Sequence, residues 1–261
     1  MSEPDGGWVV LFSGGKESAW ALTRALEAGR DVRRLVIVNP PAGSHVYHAP
    51  ARTVTRLAAT SIGIPVVDVT IPAVDIEPPN ISAAEGRVSG PAGDAEMEPL
   101  EAGLRTLDAE LAGGLTGLVA GTVESDYQAD RLRSMCESLG CAFDAPLWHA
   151  EPSDLLEEMI EAGLEIVFVE VAAPGFDASW LGRRLNREAL AELTELHREY
   201  GVHLLGEGGE FQTVVTDGPH MSRPIALEFE REWHDSWGRL RITDARLEAS
   251  ATEDGDPGSD E

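Results

Sequence analysis

The sequence predicts an α/β chain: a parallel sheet with helices on both faces in the first half, then a smaller α/β region. Three observations carry that expectation. Short β-branched runs alternate with amphipathic stretches up to about residue 121. A glycine turn, "SGGK", joins the first of those runs to the first helical stretch. Past residue 121 strands and helices no longer take strict turns.

Taken in order, strand-like runs fall at 8–12, 34–39, 65–71 and 115–121, with helix-like stretches at 16–28, 51–61 and 97–111. Strand, helix, strand at this spacing implies βαβ units, and hence parallel pairing. Between 72 and 99 the pattern dissolves into Pro, Gly, Ala and acidic residues, which reads as one long loop, functional or mobile. The second half offers helix-like stretches at 127–139, 153–161 and 187–200 and strands at 165–171, 202–205 and 213–216. Two more strands follow within 225–247, around "REWHDSWGR". The expected division is 1–123 for the first domain and 124–247 for the second. Residues 248–261 are polar, acidic and Gly/Pro-bearing, as in a disordered tail.

Composition narrows the classes. A chain of 261 residues has core enough for one large domain or two modest ones. No stretch has the apolar length needed to span a bilayer, and 1–6 is short and acidic, unlike a secretory leader. A cytoplasmic protein is expected. Its 46 acidic residues against 20 basic ones give a formal net charge of -26. Such a chain repels nucleic acid, whose phosphates call for clustered Lys and Arg.

Nineteen of the basic residues are Arg and one is Lys. An acid-rich, Lys-poor chain fits a halophilic setting, where multimolar salt screens self-repulsion within a few ångströms. Its unfolding temperature is therefore expected to rise from dilute buffer to concentrated KCl; equal stability in the two would contradict the halophilic reading. The single Lys, Lys16, falls inside the glycine turn, where a compact ammonium differs chemically from a planar guanidinium. Cys136 and Cys141 lie five apart, neither a CxxC nor a metal-ligand pair, and read as small core hydrophobes.

The turn itself, "SGGKES", is not a Walker A loop, because Val10 and Glu17 stand where that motif needs Gly and Ser or Thr. Its chemistry is still that of an anion cradle. Gly14 and Gly15 allow close backbone approach, and the N–H groups of a helix start attract negative charge. Ser13 and Ser18 add hydroxyls, and Lys16 adds a full charge. The competing reading, a strand followed by a Gly turn and a Ser N-cap, suits a bare SGG better than it suits Ser-Gly-Gly-x-acid-Ser. A polyphosphate is the expected ligand.

The turn resembles the SGGxDS signature of the PP-loop ATP pyrophosphatases, with Glu17 where that family carries Asp. Further segments, "SHVYHAP", "GTVESDYQADRLRSMCESLG", "APLWH", "GFDASWLGR" and "LLGEGGEFQTVVTDGP", are similar to the diphthine–ammonia ligase (diphthamide synthase) family within that class. The resemblance runs from about residue 8 to 219. It implies a nucleotide-binding domain of the HUP/PP-loop type and a ligase that adenylates the carboxylate of diphthine, a modified histidine on elongation factor 2. Ammonium then displaces AMP, and pyrophosphate is the other product. ATP and Mg²⁺ are the implied cofactors; elongation factor 2 and ammonium are the implied partners. Neither stable nucleic-acid binding nor membrane attachment is expected, and a homodimer is allowed.

The resemblance also implies site residues. Ser13, Gly14, Gly15, Lys16, Glu17, Ser18, His48, Gly121 and Thr122 would hold the nucleotide, with Glu17 toward Mg²⁺. Lys16, Arg131, Glu207 and Glu210 would serve the chemistry. Glu124, Ser125, Tyr127, Gln128, Gly208, Gly209 and Thr213 would face substrate. Several of these have competing roles: a cap for His48, a surface ion pair for Arg131, a hairpin with solvated acids for Glu207 and Glu210. Trp148 and Trp180 offer faces for a trimethylammonium group, or simply core packing. Two other readings compete with the ligase. One is a PP-loop enzyme with another acceptor, such as tRNA; the other is an ATP-binding module without turnover.

Overall fold

A computed structural model describes residues 6–39, 52–71 and 91–249, with the side chains of 91–96 left aside. His48, the 72–90 part of the expected loop and the 250–261 part of the tail lie outside the described residues.

The first sheet contains β1 (Gly7–Leu11), β2 (Val32–Asn39), β3 (Val66–Thr70), β4 (Leu115–Val119) and β5 (Ala142–Asp144) in the order β3-β2-β1-β4-β5. Every pairing in it is parallel. Four helices cover it: α1 (Lys16–Glu27), α2 (Arg52–Ile62), α3 (Pro91–Glu110) and α4 (Asp126–Leu139). Strands buried on both faces need apolar residues throughout, and Val9, Val10, Val36 and Leu118 are fully enclosed. On one face Leu100, Leu104 and Leu107 of α3 meet Met135 and Cys136 of α4 over Val9, Val36 and Leu118. Cys136 is thus the core hydrophobe it was expected to be, and burial pushes its pKa well above the usual thiol range, which keeps the thiol protonated.

The other face carries α1 and α2, and its core runs on without a break into the second half, from Trp20, Leu22 and Val54 to Ile166, Phe168 and Val214. There α5 (Pro152–Glu161) and α6 (Arg187–Tyr200) accompany an antiparallel sheet of β6 (Glu165–Val171), β7 (Phe211–Asp217), β8 (Ile225–His234) and β9 (Trp237–Leu247). Its order is β7-β6-β9-β8. Trp180 packs edge-on to Phe168 and Phe176 at 5.1 and 5.0 Å, inside this core. No helix among the described residues is long and apolar enough to cross a membrane.

Three expectations are corrected. The stretch 72–99 is not loop to its end, because α3 starts at Pro91. Proline suits a first helical turn, whose N–H would have no partner. Pro99 inside the helix is tolerated because Met97, Leu100, Leu104 and Leu107 form one buried stripe. The expected strand at 202–205 is a turn. Side chains there capture its backbone donors: His203 N–H goes to Glu210 Oε1 and Leu205 N–H to His203 Nδ1. The third is β5, which was not foreseen because three residues are too few to show a period. It lies beyond the expected division at 123/124 and pairs with β4 at the edge of the first sheet.

Candidate active site

In an open parallel sheet, ligands gather outside the carboxyl ends of the strands, where the chain reverses its direction of travel across the sheet. Here the reversal lies between β1, the middle strand of the five, and its neighbour β4. The residues leaving those two strands are the glycine turn 12–15 and Ala120–Gly121–Thr122. Two of the segments singled out in the sequence therefore meet at one crevice.

The turn is held in shape from three sides. Ser18 Oγ accepts from Ser13 N–H at 3.2 Å, lies 3.1 Å from Ser13 Oγ and donates to Gly15 O at 3.0 Å. Thr55 of α2 donates to Ser13 O at 2.7 Å, and Val215 N–H of β7 donates to Gly14 O at 2.9 Å. Both serine hydroxyls thus act first within the turn. Gly14 has φ +83, and a Cβ there would lie 2.6 Å from Thr55 Oγ1, so only glycine satisfies backbone and packing together. Gly15 is the N-cap of α1 and supplies no side-chain cap, so the first-turn amides keep their attraction for an anion. Gly121 packs directly on this helix start: a Cβ would lie 2.7 Å from the backbone carbon and oxygen of Glu17.

Lys16 is 2% exposed, and its ammonium points away from bulk water toward the second sheet. Nζ donates to Leu205 O at 2.7 Å, pairs with Glu17 Oε1 at 2.6 Å and stands 4.8 Å from the centroid of the Phe211 ring. A buried cation needs such company: a carboxylate, a carbonyl and a ring face together replace its water. Of its three N–H donors, the Leu205 carbonyl takes one, while Glu17 is held by charge. Lys16 therefore ties the phosphate-type turn to the "LLGEGGEF" segment, a long-range link that spacing in the sequence does not show.

That segment carries the expected carboxylates. Glu210 Oε1 caps His203 N–H at 3.0 Å, so Glu210 shapes its own loop, with Gly208 close against its carboxylate. Glu207 keeps a solvent-facing side by surface area but is crowded by protein at longer range. That crowding governs its ionisation, because desolvation reaches beyond the contact shell. The loss of solvation, then the negative charge of Glu17, raises its pKa; Lys16 and His203 act against this, and Glu124 adds to it. Raised in the folded state, the carboxyl adds stability while protonated and loses it as pH climbs from the unfolded value of 4.5 through the folded one. Glu207→Gln should match the parent protein in melting temperature below that window and exceed it increasingly toward neutral pH. A difference independent of pH would contradict this.

The remaining expected residues divide. Thr122 and Thr213 are buried beside the crevice, and Gly15 approaches the Thr213 carbonyl. Ser125 is the N-cap of α4 and accepts from Gln128 N–H at 3.3 Å. Arg131 lies over the Tyr127 ring, 3.5 Å from its centroid. Trp148 stacks on His149 at 4.5 Å. Gly209 takes the αL conformation in the turn before β7, with φ +83. Glu124 is joined by a residue that sequence reasoning missed, His203, whose Nε2 lies 3.0 Å from Glu124 Oε2. Thr55, Leu205 and Phe211 were missed as well. Leu205 acts through its backbone carbonyl and Phe211 through a ring face, which leave no mark in residue type; Thr55 acts through its hydroxyl, and His203 stands just before the Glu-rich segment, so these two offered a signal.

A family profile described as "Diphthamide synthase N-terminal domain" matches residues 7–142, and one described as "Diphthamide synthase C-terminal domain" matches 151–247. The chain belongs to the diphthamide synthase family. The "Diphthine--ammonia ligase" of Danio rerio is 30% identical over 228 residues, spanning 84% of this chain and 86% of that protein. The proteins of the same name from Rattus norvegicus and Homo sapiens are 30% and 28% identical over 229 residues, each spanning 84% of this chain and 82% of the relative. The two diphthamide synthase segments map onto the two sheets: the first covers the parallel sheet as far as the start of β5, the second covers α5 to β9. Lys16 bridges them.

Proposed function

We propose that this protein is an ATP-dependent, AMP-forming ligase that converts the carboxylate of diphthine on elongation factor 2 to an amide, using ammonium. The observation that carries the reading is an anion cradle at the β1/β4 crevice, linked through Lys16 to a carboxylate-bearing loop of the second sheet. The relatives named diphthine--ammonia ligase, matched over most of their length, support it. The residues fit a nucleotide: Gly14 and the first turn of α1 offer amides to a polyphosphate, Gly15 N–H can exchange its long 3.3 Å bond to Ser13 Oγ for one, and Thr122 and Gly121 border it from β4. Mg²⁺ would come with the phosphates, which usually supply several of its oxygens. Glu17 is the carboxylate nearest that path, and Lys16 holds it in place.

The α-phosphorus then faces the incoming carboxylate, pyrophosphate leaves, and ammonia displaces AMP from the acyl-adenylate. Lys16 and Arg131 supply positive charge as the phosphates separate. Glu207 and Glu210 border the acyl side, with Ser125, Tyr127, Gln128, Gly208 and Gly209 around them. Work in the cytoplasm and at high salt, with or without a homodimer, belongs to the same proposal.

The test is to incubate the purified protein with ATP, ammonium and diphthine-bearing elongation factor 2. AMP, pyrophosphate and an amide on the modified histidine are expected, all dependent on the protein substrate. AMP formed only with tRNA, or ATP bound without turnover, would contradict the reading.

A further inference from the structure

The residue that joins the most parts of the crevice is His203, at the entrance to the Glu-rich loop. Its backbone N–H is fixed by Glu210 Oε1 at 3.0 Å. Its Nδ1 accepts the Leu205 N–H at 3.1 Å, and its Nε2 meets Glu124 Oε2 at 3.0 Å. An Nδ1 that accepts leaves the proton on Nε2, so the neutral imidazole donates to Glu124. Leu205, held by its N–H, presents its carbonyl to Lys16 Nζ at 2.7 Å. One imidazole thus connects the exit of β4, the Glu-rich loop and, through Leu205, the phosphate-binding turn.

We propose that His203 is a positioning residue for the reaction, with its ring orienting the Glu124 carboxylate in the crevice and separately anchoring the Leu205 backbone. This rests on the ligase reading for its kinetic part and on geometry alone for the rest. Glu124 is a crevice carboxylate whose partner is this ring. Glu17 is fixed by Lys16, and Glu210 by the His203 amide. Glu124 sits 44% exposed at the crevice mouth, where an unguided side chain samples many rotamers. Each half of the role can be removed alone. Asparagine at 203 rebuilds the Leu205 bond as an Asx-turn, since its carbonyl accepts from the residue two positions on. It is too short to reach Glu124. Glutamine carries its amide nitrogen out to where Nε2 stood and forgoes the Leu205 bond.

With ATP and ammonium saturating, His203→Ala should lower kcat about tenfold, the value of one hydrogen bond to a charged group. The KM for ATP should stay within about twofold, because the cradle residues are untouched. His203→Gln should recover kcat to within about threefold of the parent, and His203→Asn should not. Amide hydrogen exchange at Leu205 should follow the opposite order: slow in the parent and His203→Asn, fast in His203→Gln and His203→Ala. Wild-type kcat in His203→Ala, or rescue by Asn and not Gln, would overturn the orienting role. Unchanged Leu205 exchange in His203→Ala would overturn the anchoring role. Should the parent protein make no AMP, the ligase reading fails by itself. The ¹⁵N shifts of the His203 ring and the exchange series then decide the geometry, an Nδ1–H tautomer counting against it.

Discussion

Lys16→Ala should lower AMP formation by about 10²- to 10³-fold, the usual cost of removing a group that stabilises developing charge. The fold should survive. The lost ammonium leaves Glu17 and the Leu205 carbonyl without a partner, but Glu17 is 22% exposed and water reaches it. A melting experiment should show a loss of about 1–3 kcal/mol, the cost of stranding a polar group. Lys16→Arg is the sharper comparison, because this chain uses Arg for all its other basic residues. A planar fork cannot place one compact charge between Leu205 O, Glu17 and the Phe211 ring as the ammonium does. It should remain nearly as inactive as the alanine variant. A fully active Lys16→Ala protein would refute the role given to this residue in holding phosphate.

Gly121→Ala should damage nucleotide binding without touching any group that carries charge. The added Cβ would sit 2.7 Å from the Glu17 carbonyl and 2.9 Å from Ser18 N, all backbone, where ordinary contacts run from 3.4 to 4 Å. Backbone cannot rotate aside, so the start of α1 or the exit of β4 must retreat. Overpacking of this kind costs typically about 1–3 kcal/mol. A displacement near 1 Å at a positioning element costs about 10²-fold in rate. ATP affinity measured by calorimetry should fall together with the melting temperature. Parental values of both would show that the two segments do not share a site.

Both effects arise at contacts that the sequence shows only in part. The β1–turn–α1 unit was readable because a strand, two glycines and an amphipathic helix each leave a local pattern, and the parallel sheet followed from their repetition. Gly121 and Glu124 could be placed at a strand end for the same reason. The direction taken by Lys16 could not be read, because its partner is a backbone carbonyl 189 positions away. The turn at 202–205 looked like a strand because Val202, Leu204 and Leu205 are all apolar, and all three are indeed buried. What makes it a turn is a side-chain hydrogen bond to each of two amides. The start of α3 was hidden because its first six residues, Pro-Ala-Gly-Asp-Ala-Glu, show no apolar period. The family resemblance supplied the reaction. Geometry supplied His203, the one site histidine that neither pattern nor resemblance had singled out.

The most direct measurement is a crystal structure with a non-hydrolysable ATP analogue. The account predicts its phosphates against the amides of Gly14, Gly15 and the first turn of α1, with the α-phosphorus open toward Glu124 and Glu207 and Lys16 still bound to the Leu205 carbonyl. A nucleotide seated anywhere else, with the 13–18 turn empty, would contradict it.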